Sequence, residues 1–275
     1  MGSLSDAAEL LLLDHVYNAA YSHVATVYLA LCTADPTDAG TGAAMNECAS
    51  ANGYARKAIT FAAASGRSIT QTGVVTFDAA TGAGWGTATH WAILDSITHG
   101  AGTMLAHGAL AENKVIVAGN TPSVASGQVV ISFAAGEISS YLCVKLLDLM
   151  FRNTDYAKPD TWVALATDDI VDTDDGAAMD EVPGAGAYAR VQVNINGGAS
   201  PTWDLAALGV VDNTHAIGFT AASAPWGTVK AVAIMDGGTQ DLGEVLMYDN
   251  TIADQVVGTG DTVSFAIGAL DCVMT

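Results

Sequence analysis

The chain has 275 residues, a formal net charge of −20 and only 9 Lys and Arg against 29 Asp and Glu. With 51% hydrophobic and 14% charged residues it is no disordered acidic chain, because disorder needs low hydrophobicity together with high charge. Nine scattered basic residues make no phosphate-binding stripe, which excludes nucleic acid as a partner, and an anionic membrane surface repels the chain. The hydrophobic share is largely the 50 alanines, and no run of about 18 apolar residues exists to span a bilayer. The N-terminus carries no basic region of a signal peptide.

In chain order, the first expected element is a helix. Leu10, Leu13, Val16, Tyr17 and Ala20 recur at one-face helical spacing, with Ser3 or Ser5 as the cap. The period then changes to two. Strands are expected over Val27 to Leu31, Ala55 to Phe61, Val74 to Phe77, Thr89 to Leu94, Met104 to Ala109, Val115 to Ala118 and Gln128 to Phe133. A second helix follows from Ser139 or Ser140, buries Leu142, Leu146, Leu149 and Met150, and ends near Asn153. The strand Trp162 to Ala166 opens the same series again.

The second series is a copy of the first. Leu12-Leu13-Asp14 recurs as Leu146-Leu147-Asp148, Gly42-Ala43-Ala44-Met45 as Gly176-Ala177-Ala178-Met179, and Tyr54-Ala55-Arg56 as Tyr188-Ala189-Arg190, all at an offset of 134. Trp85-Gly86-Thr87 recurs as Trp226-Gly227-Thr228 at an offset of 141, which requires an insertion in the second copy near Asn196 to Pro201. Ser132-Phe133 resembles Ser264-Phe265 at an offset of 132, which implies a loop shortened near Thr251 to Gly258. The expected fold is mainly β: a β-sandwich with one N-terminal helix per repeat, in two tandem homologous domains over residues 1–138 and 139–275.

Chemistry-bearing patterns are sparse. No P-loop, Gly-x-Ser-x-Gly or His-Glu-x-x-His stands in the chain, so no catalytic residue and no cofactor is expected. His90, His99 and His107 could meet across a hairpin, but the second copy has no matching histidines. Asp172, Asp174 and Asp175, in the acidic loop before Gly176, are weak candidates for a hard cation. Cys32, Cys48, Cys143 and Cys272 include no Cys-x-x-Cys pair and read as buried thiols, with a Cys32–Cys48 bridge left open.

The residues kept in both copies are the better guide. Arg56 and Arg190 each stand beside a tyrosine, Tyr54 and Tyr188, and can pair bidentately with Glu47 and Glu181. Together with Trp85 and Trp226 they are assigned an assembly or structural role: a salt bridge holding a loop, or a contact between subunits.

The string Leu29-Ala30-Leu31-Cys32-Thr33-Ala34-Asp35-Pro36-Thr37-Asp38, with Asn52-Gly53-Tyr54-Ala55-Arg56 and the Trp-Gly-Thr before a strand, resembles a family of tailed-bacteriophage virion structural proteins, often labelled tail fibre proteins. The resemblance implies a non-enzymatic protein of the virion's outer surface, made in the host cytoplasm. Its expected partners are the major capsid protein or other virion proteins, with a homo-oligomer, trimer or dimer, of its own. A capsid decoration or cement protein binding between capsomers is the first expectation. The absence of heptads and of a Gly-x-y repeat sets a tail fibre or receptor-binding adaptor second.

Overall fold

The structure, a computed structural model, describes residues 2–134 and 136–274. The first half contains β1 (Ser3–Leu4), α1 (Asp6–Tyr17), β2 (Val27–Cys32), β3 (Lys57–Phe61), β4 (Ser68–Thr72), β5 (Val75–Thr76), β6 (Gly86–Leu94), β7 (Met104–Ile116), β8 (Ser123–Val124) and β9 (Val130–Ser132). The second contains α2 (Ser140–Arg152), β10 (Thr161–Ala166), β11 (Val191–Val193), β12 (Val210–Asp212), β13 (Ile217–Gly218), β14 (Gly227–Val229), β15 (Ala231–Met235), β16 (Val245–Asp249), β17 (Gln255–Val257), β18 (Ser264–Phe265) and β19 (Asp271–Val273). The protein is mainly β, with one helix opening each repeat.

In the first half one antiparallel sheet runs β1-β7-β6-β2-β3-β4-β9. A parallel bridge from Gly2 to Ile131 of β9 brings its two ends together, so the sheet nearly closes into a barrel. The second half repeats the plan in pieces. The sheet β11-β10-β15-β16 stands for β3-β2-β6-β7, and the ribbons β12-β19 and β13-β18 stand for β4-β9 and β5-β8.

Registers correct two details of the sequence reading. Phe265 pairs with Ile217 as Val124 pairs with Val75, so Ser264-Phe265 corresponds to Ser123-Val124 rather than Ser132-Phe133. From Trp226 on, the offset of 141 therefore persists to the C-terminus and the loop near Thr251 to Gly258 is not shortened; the second copy loses one residue earlier, between Ile217 and Trp226, and the Ser-Phe match was a coincidence of two short strands. Val115 to Ala118 is not a strand of its own, because β7 runs on to Ile116 alongside β6. The insertion lies where the sequence puts it: β3 and β11 keep the offset of 134 through Ile59 and Val193, and Thr202 pairs with Thr214 as Thr60 pairs with Thr72.

Both helices start for the same reason. Ser5 and Ser139 accept from the backbone N–H of Ala8 and Leu142, satisfying donors that the first helical turn leaves free. Asn153, in the left-handed conformation, ends α2. The buried faces of the helices do not simply cover their own sheets. α1 packs on β7 of its own half and on β12 of the other, while α2 packs on β16 of its own half and on β3 and β4 of the other. One hydrophobic cluster consequently runs from Leu4 through both helices to Met274.

Candidate functional site

The repeated residues build two equivalent buried networks. Arg56 donates through Nε and Nη2 to the two carboxylate oxygens of Glu47, at 2.8 and 2.7 Å. Its Nη1 donates to the carbonyls of Ser96 and Ala101, both at 2.8 Å. Arg190 holds Glu181 at the same 2.8 and 2.7 Å and caps the carbonyls of Gly237 and Leu242. Both guanidinium groups are fully shielded from solvent. A buried charge is tolerated only when paired and fully hydrogen-bonded, and here every guanidinium nitrogen has a partner.

The tyrosines close each network. Tyr54 Oη donates to Glu47 at 2.9 Å and accepts from Leu31 N–H at 3.0 Å; Tyr188 repeats this with Glu181 and Leu165, both at 2.9 Å. Burial, and then the adjacent carboxylate, push both phenols far above their ordinary range, so they stay protonated as donors. Trp85 lies edge-on to Tyr54 and Trp226 edge-on to Tyr188, and each indole N–H donates to a loop carbonyl, of Asn52 or Gly186. Gly42 and Gly176 are glycine because a Cβ there would meet the Ala101 or Leu242 carbonyl at 2.2 or 2.3 Å. Each network thus ties the loop after β2 or β10 to the hairpin turn after β6 or β15. Asp95 and Asp236 brace the same turns by accepting from Thr103 and Glu244 N–H at 2.7 Å.

A second paired set, unmarked in the sequence reading, joins the halves. Asp14 of α1 accepts from Ala206 N–H in the second half, and Asp148 of α2 accepts from Ala64 N–H in the first, both at 2.9 Å. Tyr17 meets Trp203 edge-on at 4.9 Å, and Phe151 meets Phe61 at 5.5 Å. Each contact is the image of the other under the internal duplication. The recurrence of Leu-Leu-Asp at fixed spacing was the available signal.

The remaining candidates do not converge. Asp172 faces Arg67 of the first half at 3.0 Å and accepts from Tyr248, Asp174 accepts from Val171 N–H, and Asp175 from Ala177 and Ala178 N–H. His107 pairs with Asp38 at 2.8 Å, His99 with the Cys48 carbonyl and His90 with Thr89. Among the described residues no three His, Cys, Asp or Glu side chains are grouped to hold a metal. The four cysteines are buried and free, and burial pushes the Cys48 thiol up to about 11 and those of Cys143 and Cys272 up to about 12, leaving them protonated. No helix among the described residues is long and apolar enough to cross a membrane.

No curated protein matches the chain. The family described as Podophage GP4 fiber I protein gp80 matches it twice, over residues 3–132 and again over 137–273. The two matches cover the two copies that the repeats and the paired networks define. The chain belongs to this podophage fibre protein family, and is a phage virion structural protein in which the domain occurs twice.

Proposed function

We propose that this protein is a non-enzymatic building block of the fibre apparatus of a podophage particle. The double match to a fibre family carries this reading. The inward-facing networks support it: the most strongly repeated polar residues are spent on holding loops, not on a reactive cleft. The duplicated unit divides at 138/139 by sequence, and the two arginine networks act as structural locks within the chain rather than as contacts between subunits.

Capsid decoration is the second reading, with binding between capsomers as its mode. It is favoured by the lack of heptads and of a Gly-x-y repeat, since a rod-shaped fibre is ordinarily built from such sequences. In either place the partners are other virion proteins and further copies of this chain, on the outer surface. The net charge of −20 keeps a densely studded particle soluble.

Electron microscopy of intact particles bearing a specific antibody fragment separates the two. Label confined to the tail supports the fibre role; label spread over the head transfers the assignment to decoration.

A further inference from the structure

The two halves share one plan, so positions where they differ mark what one half does and the other does not. One such difference is a cavity of about 390 Å³ in the first half, between the β6–β7 sheet and the β5–β8 ribbon. Leu31, Phe77 and Trp91 line its floor, and all three are buried. Its walls include Ala88, Ala111 and Val124. At the equivalent positions the second half carries Val229, Ile252 and Phe265, of which Val229 is buried and the other two pack against the hydrophobic core. At these three positions the second half carries branched and aromatic side chains where the first half carries smaller ones, while Trp91 of the floor stands where the second half has Val232.

The cavity rim carries a second observation. The β6–β7 ladder jumps from His90↔Ala109 to Ala88↔Lys114, so β7 bulges over Leu110 to Asn113, and Leu110, Ala111 and Glu112 line the opening. On the other side, among the described residues, β8 pairs only with β5. A bulged strand and the edge of a two-stranded ribbon flanking an apolar pocket suit an extended polypeptide, with main-chain hydrogen bonds holding the strand and the pocket taking one side chain.

We propose that this cavity is a binding site for an aromatic side chain presented by an extended segment of a partner polypeptide, in the place Phe265 takes in the second half. The site holds wherever on the virion the chain resides.

The full-length protein is titrated with toluene, N-acetyl-L-phenylalaninamide and octanoate, observed by ligand NMR. The comparison variant copies the second half: Ala88→Val, Ala111→Ile and Val124→Phe. Both aromatic probes are expected to saturate the wild type and to bind the variant at least tenfold more weakly, with the amide the tighter of the two. Should the triple variant misfold, Val124→Phe alone serves, with the same expected loss. Absence of aromatic binding to the wild type, or equal binding to wild type and filled variant, overturns the site. Preference for octanoate over the amide overturns the polypeptide assignment, because it makes the occupant an acyl chain.

Discussion

At Arg56 the side chain is buried because its five donors are consumed, two by a carboxylate and three by loop and turn carbonyls, and at Arg190 two go to a carboxylate and two to turn carbonyls. Replacing only the arginine strands Glu47 or Glu181 as an unpaired buried charge, which costs about 3–5 kcal/mol. Arg56→Met is therefore expected to lower stability by about that amount in a urea titration, and Arg190→Met to do the same. A loss near zero at either site would mean that the pair is not closed to solvent. Glu9 supplies a residue-scale pH effect. Burial, then the nearby Asp6 and Asp38, raise its carboxyl from 4.5 to about 7. The folded state holds this proton more tightly than the unfolded chain, so the contribution is full below pH 4.5 and lost as pH rises through about 7. Glu9→Gln should flatten the fall in melting temperature between those two values, and an unchanged slope would assign the fall to other groups.

For the helices, the question is why each reaches across to the other half. A 12-residue helix such as α1 is marginal alone and must bury its apolar face. Here each face is wide enough to meet two sheets, and its aspartate fixes the second contact. Asp14→Ala and Asp148→Ala each leave a loop N–H unpaired and should each cost about 1–3 kcal/mol. Tyr17→Ala and Phe151→Ala, which empty matching aromatic contacts, should cost about 3–5 kcal/mol each. Near-equal losses within each pair, measured by chemical denaturation, are the mark of the internal symmetry; a large inequality would deny it. The helices, their serine caps and the end of α2 at Asn153 were legible in the sequence, because caps and apolar spacing are local. The Arg–Glu–Tyr candidates were legible too, since duplication exposes any side chain kept at a fixed offset. The destination of the helix faces was not, because a periodic stripe reports that it is buried and not against what. Short polar strands also escaped: β4, Ser-Ile-Thr-Gln-Thr, hides Gln71 in the core by hydrogen-bonding its amide to Gly73 and Val129.

For the molecule as a whole, the exchange of helices decides how it unfolds. Two tandem domains joined by a linker would each own a core and melt separately. Here α2 contributes Phe151 to the first half and Leu146, Leu147 and Met150 to a cluster that also contains Leu12, Leu13 and Tyr17 of α1. Neither half keeps its apolar surface covered if the other opens, so opening one exposes the face of both helices. The loss is shared, and the halves gain stability only together. A single calorimetric transition is expected, with the calorimetric and van't Hoff enthalpies equal for the full 275-residue chain. Asp14→Ala, whose aspartate accepts from Ala206 of the second half, should lower that one transition as a unit. Two resolved transitions, or a shift confined to one of them, would show that the helices merely lean on the neighbouring half. One transition moved intact would mean that duplication has made a single cooperative body out of two copies.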